Sequence, residues 1–437
     1  MEWKLYFALS FAMFMEYAIW GAWMPILAAR LLGPLKMTGK QTGWIYATLP
    51  LACIVSPLIA GPLADKYIEG KWILGAAHLA GAILLYLAAH KTSFKSLFYV
   101  MLGYSFCFAG TLPLVNTVLF VNVSDIGARG TVFMWAPIAW AIMGWFLTGW
   151  RWIFKTGEQG RDCLYLAAIL SIIMGIGCIL FLPTTQSAEP AEISDPQAVA
   201  PEAEQTSIVK PTVEVVDSNE SAEVSTVEAV SPESSQTSIV RAMLEVMDFN
   251  FLVFILVSMV FFGLMQFYFL GTAPFMQDIG IPSKNVPASM AIAQAAQAIA
   301  TFYLMAFLIE RIGTKETLVA GAMFWGLLYL VYINEKPRWL IVASQSFHGL
   351  AYVLFVIVGQ NFTDTVASRS STEIRSSMQS LLFAATTGVG LFLGTQFAGF
   401  IMDKFRKDAK FQWRSIFMVS CAIALASVLV FVIFFKA

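Results

Sequence analysis

The sequence predicts an all-α membrane protein whose twelve transmembrane helices form two six-helix bundles related by pseudo-symmetry. Hydrophobic residues make up 58% of its 437 residues and charged residues 13%, whereas soluble proteins average about 45–50% and about 25%. Twelve stretches are apolar and long enough to cross the roughly 30 Å hydrocarbon core of a bilayer. An acidic segment divides them into six before residue 184 and six after residue 249.

The predicted spans follow one another with short connections everywhere except at the centre of the chain. In chain order they are 5–30, 42–64, 72–89, 96–122, 130–150, 164–183, 250–275, 286–309, 317–334, 339–362, 376–402 and 415–435. The first span is too long for a signal-peptide core, so we expect it to remain in the membrane.

The central segment has a different composition from the spans. Residues 186–238 are rich in Ala, Pro, Glu, Ser and Val, and such a segment buries too little apolar surface to offset its ordering entropy. We therefore predict three parts. They are an N-terminal bundle (1–184), a disordered acidic linker (185–245), which the family resemblance described below implies is cytoplasmic, and a C-terminal bundle (246–437).

Composition also excludes several classes of function. The net charge of −1 argues against nucleic-acid binding, which needs a basic surface. The five cysteines are scattered, without metal-ligand spacing, so we expect no metal and no cofactor. No paired carboxylates or nucleophile–base arrangement suggests an enzyme.

Glu16 is the one acid deep inside a predicted span, in the stretch FMEYAIWGAWMP at 14–25. A charged residue at a helix centre costs at least about 2.5 kcal/mol on insertion scales, and such residues are functional candidates by default. An apolar environment favours the protonated carboxyl group, so Glu16 is our first candidate for proton coupling. The alternative is a protonated glutamate that only packs. Trp20 and Trp23 share its helix face, although Trp23 is also placed to anchor the helix at the membrane interface.

Polar and aromatic residues in other spans suggest a binding cavity between the bundles, near the bilayer midplane. We interpret His348 as a second proton-coupling candidate and His78 as a structural histidine. Amides, aromatic faces and no intramembrane Lys or Arg favour a small, planar, neutral, polar ligand. The substrate-binding candidates are Trp20, Trp140, Gln266, Tyr268, Gln294, Gln297 and Tyr352.

A possible gate follows the second span, in GPLADKYIEGKW at 61–72. Gly61 permits close packing, and Asp65, beside Lys66, can neutralise the positive N-terminus of a neighbouring helix. We interpret the similar GFIMDKF at 399–405 as an ordinary helix end.

Several of these stretches resemble a known family. GPLADKY and the twelve-helix plan resemble the major facilitator superfamily. FMEYAIWGAW, ADKYIEGKWILGAAHLAGAILLYLAA, GTLPLVNT and FHGLAYVLF with IRSSMQSL resemble bacterial nucleoside permeases of the nucleoside:proton symporter family. The resemblance covers most of both halves but not 184–245. It implies a central cavity, both termini in the cytoplasm and nucleoside uptake driven by protons.

The chain departs from the family pattern at three places. Phe133 stands where the family has an arginine in its fifth helix, and the family's Q-x-x-E in the eighth helix is here Gln294-x-x-Gln297. In the tenth helix, His348 and Val353 replace a tyrosine and an acid, while Tyr352 keeps an aromatic. The resemblance therefore implies an altered nucleoside pocket.

From these observations we expect a secondary transporter that moves a nucleoside or a similar small polar solute by alternating access, with proton symport. The alternatives are a carrier of the same fold for another solute, such as a sugar, or a membrane sensor that binds without transport. We expect a monomer in the bilayer of the inner (cytoplasmic) membrane, with nucleoside and protons as partners. The loop charges alone favour the opposite orientation, and the resemblance overrides them.

Overall fold

The structure, a computed structural model, describes residues 2–123, 125–183, 247–370 and 375–436. The predicted linker at 185–245 therefore lies outside the described residues. The side chains of Gly61, Asp65 and Lys66 also lie outside the described part of the chain, and the gating role of these residues remains a prediction.

Helices make up both halves of the described chain. The N-terminal half contains α1 (Trp3–Trp23), α2 (Leu27–Leu32), α3 (Gly39–Lys66), α4 (Gly70–His90), α5 (Phe94–Asn122), α6 (Ile126–Phe133), α7 (Trp135–Phe154) and α8 (Asp162–Phe181). The C-terminal half contains α9 (Phe249–Asp278), α10 (Val286–Ile299), α11 (Met305–Ile333), α12 (Arg338–Ala343), α13 (Gln345–Ala351), α14 (Val358–Ser370), α15 (Arg375–Phe383), α16 (Leu391–Lys404) and α17 (Trp413–Phe434). Single π-helical turns at Ala300–Leu304, Tyr352–Ile357 and Ala384–Gly390 join consecutive helices.

The predicted spans all coincide with helices. Ten helical segments among the described residues are long and apolar enough to cross a membrane. One of them, Val286–Ile333, contains two predicted spans, which are separated where Gly313 leaves the helical conformation with φ of 87°. The remaining predicted span, 42–64, lies on the 28-residue helix α3. A short hairpin of β1 (Arg406–Lys407) and β2 (Lys410–Phe411) connects α16 to α17.

Local sequence sets the starts of several helices. Thr38 and Gln41 form a capping box at the start of α3, in which each side chain accepts a hydrogen bond from the other residue's backbone N–H. Asp248 accepts from the N–H of Phe251 at the start of α9, 2.8 Å away. These caps satisfy backbone donors that have no partner inside the helix.

Two helix pairs hold the halves together: α3 with α16, and α7 with α10. The first pair approaches closely because Gly39 and Gly43 face Gly399 and the backbone of Thr395. In the second pair, Gly144 packs on α10. Small residues thus bring the two bundles into backbone contact.

Contacts between the halves concentrate on one side of the membrane. We call the side on which α1 begins the near side and the side on which α3 begins the far side. Among the described residues, the hydrogen bonds between the halves all lie on the far side. They join Asp403 to Gly39 and Lys40, Arg151 to Ser283, Trp152 to Asn285, and Thr148 to Ala288. The structure is therefore closed on the far side.

Candidate functional site

Glu16 is completely buried in the N-terminal half, where it has two polar partners. Its Oε2 lies 2.9 Å from His78 Nε2 on α4, and its Oε1 lies 2.7 Å from Thr111 Oγ1 on α5. Glu16 has 0% exposed side chain and His78 has 2%. The site therefore links three helices through one carboxyl group that water does not reach in this state.

His78 is the one histidine that we interpreted as structural, and the structure places it against the proposed proton carrier. Sixty-two positions separate the two residues, and neither helix shows a pattern that identifies its partner. Among the described residues, His78 is the only basic group within ion-pair distance of Glu16. A buried acid and an imidazole in contact can share one proton without creating a net charge.

The two tryptophans of α1 have different surroundings. Trp20 contacts the rings of Phe108 and Trp140, with centroid distances of 6.2 and 5.5 Å. Trp23 is buried in the N-terminal bundle and donates a hydrogen bond to the Tyr104 hydroxyl, 3.1 Å away. Trp23 is therefore a packing residue, neither an interfacial anchor nor a wall of the interface between the halves.

A narrow crevice lies between the halves, next to Trp20. Gly21 and Trp140 line it from the N-terminal half, and Tyr268, Phe269 and Gln294 line it from the C-terminal half. Gly21 is required because a Cβ there would lie 2.9 Å from the Trp140 ring. Three of the predicted binding residues, Trp140, Tyr268 and Gln294, thus meet at one place. Aromatic faces with one amide suit a flat, neutral, polar ligand.

His348 belongs to an aromatic cluster of the C-terminal half. Its ring stacks on Tyr268 with a centroid distance of 3.8 Å and an interplanar angle of 4°. Trp325 Nε1 donates to His348 Nδ1 over 3.4 Å. This bond fixes the neutral tautomer with its hydrogen on Nε2, which makes His348 a hydrogen-bond donor.

Several buried polar atoms have no partner among the described residues. Gln266 is 1% exposed, and its Oε1 is unpaired. Trp20 Nε1 and Asn116 Oδ1 are unpaired as well. Because unpaired buried polar groups cost free energy, these atoms are available to a polar ligand.

The two remaining candidates, Gln297 and Tyr352, are half-buried. Gln297 lies on α10, where Gly349 of α13 packs against the helix backbone. Tyr352 begins the π-helical turn Tyr352–Ile357. Neither side chain lines the crevice.

The interpretation of 399–405 as an ordinary helix end is wrong. Asp403 accepts hydrogen bonds from the backbone N–H groups of Gly39 and Lys40 at the start of α3. This is the interaction with a helix N-terminus that the sequence predicts for Asp65. The two motifs share the spacing G-x-x-x-D-K, and the sequence alone did not indicate that Asp403 has this interaction.

Comparison with known proteins agrees with this geometry. The family model described as nucleoside H+ symporter matches residues 3–202 and 229–437. The chain belongs to this family. Members are transporters, so the chain is a proton-coupled nucleoside transporter and not an enzyme or a sensor.

Known members of the family align over nearly the whole chain. The Escherichia coli putative nucleoside transporter YegT is 24% identical over 98% of this chain and 93% of its own. The E. coli nucleoside permease NupG is 23% identical over 97% and 94%. The crystal structure of NupG superposes with a TM-score of 0.75 at 22% identity, covering 99% of each chain. These likenesses establish the major facilitator fold of the symporter.

Proposed function

We propose that this symporter binds its nucleoside in the crevice between the halves and carries the coupled proton on Glu16. Two observations support the proposal. Aromatic side chains of both halves and the Gln294 amide line the crevice, and the buried Glu16 lies one helical turn from Trp20, whose ring contacts the lining residue Trp140.

The base of the nucleoside is held by the aromatic residues. Trp140 forms one wall, with the Trp20 ring packed against it, and we assign Tyr352 as the stacking residue of the other half. Stacking of a base on an aromatic side chain is worth about 1–3 kcal/mol. It tolerates different bases, because every base has a π-face.

Hydrogen bonds to the base and ribose come from neutral groups. Gln294 lies at the crevice, Gln266 has a free carbonyl oxygen, and Gln297 and His348 add donors. Tyr268 fixes the His348 ring by stacking. Neutral partners select a neutral ligand, since a phosphate group requires a cation to offset its desolvation.

Alternating access requires the far-side contacts to open and the near side to close. We infer that the far side is periplasmic, with both termini in the cytoplasm and the protein in the inner membrane. In this arrangement the structure is the state closed to the periplasm. A single chain contains both walls of the crevice, so the proposed unit is a monomer.

The test is uptake of labelled uridine and adenosine by cells that lack their own nucleoside carriers. Trp140→Ala is expected to raise KM about fivefold or more, because it removes a stacking surface. Trp145→Ala is the matched control, since Trp145 lies on the same helix with 50% of its surface exposed. Equal uptake by the two variants would contradict the proposed binding site.

A further inference from the structure

The Thr111 hydroxyl group lies between two hydrogen-bond acceptors. Its Oγ1 is 2.6 Å from the backbone carbonyl oxygen of Phe108 and 2.7 Å from Glu16 Oε1. Both distances are those of good hydrogen bonds. The hydroxyl has only one hydrogen to donate, so both contacts are full hydrogen bonds only when one of the two partners supplies a second hydrogen.

Hydrogen counting identifies that partner. A carbonyl oxygen has no hydrogen, so the contact with Phe108 uses the hydroxyl hydrogen of Thr111. The contact with Glu16 then needs a hydrogen on Glu16 Oε1. At the other carboxyl oxygen, Oε2 accepts from the Nε2–H of His78, 2.9 Å away. All contacts are satisfied when Glu16 is protonated and His78 is neutral.

We infer that this structure is the proton-loaded state and that Thr111 is the positioning residue that controls proton release from Glu16. The inference rests on the proposed function of Glu16. On release, the Oε1–H proton passes to water and leaves a carboxylate. The Thr111 hydroxyl then rotates from the Phe108 carbonyl to Oε1, so that the carboxylate accepts from Thr111 and His78 together.

The rotation of the Thr111 hydroxyl group changes the free energies of protonated and ionised Glu16 by different amounts. A hydrogen bond to a carboxylate is roughly twice as strong as one between neutral groups. Thr111 therefore stabilises the ionised form more than the protonated form. Inside an apolar bundle the ionised form is otherwise costly, and without the hydroxyl Glu16 would retain its proton.

The other titratable groups that face Glu16 do not compete for this role. They are Tyr17 on its own helix, Tyr104 on α5 and Cys178 on α8. Phenols and buried thiols remain neutral at physiological pH. Among the described residues, His78 is therefore the basic partner of Glu16, and Thr111 is the hydroxyl group that reorients between the two states.

Infrared difference spectroscopy tests the proton-loaded state without any substrate. The purified protein at neutral pH is expected to show a carbonyl stretching band of a protonated carboxylic acid that Glu16→Gln removes. Thr111→Val should shift this band to higher frequency, because the carboxyl O–H loses its acceptor, and Thr111→Ser should restore it. Absence of a Glu16-dependent band would overturn the inference, even if nucleoside transport is confirmed.

Proton-driven uptake tests the role of Thr111 in release. Thr111→Val should shift the pH dependence of uptake upward by about one pH unit, since the ionised form loses the stronger bond. Thr111→Ser should return it to the original value. A purely structural role would lower the maximal rate in Thr111→Val without moving the pH profile, and that result would overturn the inference. If the unchanged protein takes up no nucleoside, the proposed function fails, and the infrared test of Glu16 still stands.

Discussion

The carboxylate of Asp403 caps the N-terminus of α3 in the opposite half of the transporter. Its two oxygens accept hydrogen bonds from the backbone N–H groups of Gly39 and Lys40, at 2.5 and 2.8 Å. A helix N-terminus carries a partial positive charge that favours an anion. The interaction exists only while the far side is closed, so it acts as a latch.

Weakening this latch should favour the state that is open on the far side. Asp403→Asn removes the charge, and a carboxylate at a helix N-terminus is worth about 0.3–1 kcal/mol. We expect a cysteine introduced at Ala291 in the crevice to react about two- to fivefold faster with a membrane-impermeant thiol reagent added outside cells.

The matched control for the latch is Asp408→Asn in the hairpin that follows α16. Asp408 is exposed, and its side chain has no hydrogen bond or ion pair within the part of the chain that the structure describes. Its replacement should leave the labelling rate unchanged. Labelling at the native cysteines is subtracted from each measurement. If the introduced cysteine then reacts at the same rate with Asp403→Asn as with Asp403 intact, Asp403 does not hold the far side closed.

Closure of the far side should also depend on Gly144. A Cβ at this position would lie 2.7 Å from both the Ala291 Cβ and the Pro287 carbonyl oxygen. Overpacking of this kind costs about 1–3 kcal/mol, so Gly144→Ala should slow nucleoside uptake about fivefold or more. A methyl group added at Gly149 on the same helix would have no neighbour within 4 Å, and Gly149→Ala should transport normally. If both variants transport normally, close packing of α7 on α10 is not needed for the cycle.

The sequence predicts the helices but not all of the contacts between them. The apolar spans predicted the helices, because the bilayer imposes length and composition on each segment separately. The partner of Glu16 was missed, because it depends on which face of α4, a helix packed on α5 and α8, is turned towards α1. The same limit hid the role of Asp403, whose motif shares only the G-x-x-x-D-K spacing with that of Asp65.

Arg151 should be important for the stability of the folded protein. It is 1% exposed and forms a two-bond pair with Asp162, while its third nitrogen donates to the Ser283 carbonyl across the halves. Arg151→Met leaves the carboxylate unpaired at a cost of about 3–5 kcal/mol. We expect a clear fall in the Tm of the detergent-solubilised protein.

A second substitution separates the contribution of the ion pair to stability from that of side-chain packing at position 151. Adding Asp162→Asn to Arg151→Met removes the unpaired charge, so the double variant should recover much of the lost Tm. A double variant no more stable than Arg151→Met alone would mean that the guanidinium acts mainly through Ser283.

His348 should contribute to nucleoside affinity and not to proton coupling. Trp325 already donates to its Nδ1, and among the described residues no carboxylate lies within ion-pair distance of it. His348→Gln should therefore raise KM while a pH gradient still drives accumulation. Loss of gradient-driven accumulation in this variant would return His348 to the role of proton carrier that the sequence suggested.

The sequence favoured His348 over His78 as a proton-coupling candidate because it does not show hydrogen-bond partners from other helices. His348 lies among polar residues on its own helix, which made it the more plausible proton carrier. His78 lies on an apolar helix, and its single acidic partner comes from 62 positions away. The contact between Glu16 and His78 joins two helices that are far apart in sequence, so no local pattern indicates it.

The most direct test of the account compares Glu16→Gln with the unchanged protein in reconstituted vesicles. Labelled uridine or adenosine is supplied, and accumulation is measured with an imposed pH gradient and again after a protonophore collapses it. Glu158→Gln, on an exposed far-side loop, serves as the control for loss of an acid. We expect the pH gradient to drive nucleoside accumulation in the unchanged protein and in the control. In Glu16→Gln, we expect the same accumulation with and without the gradient. Full gradient-driven accumulation by Glu16→Gln would contradict Glu16 as the proton carrier.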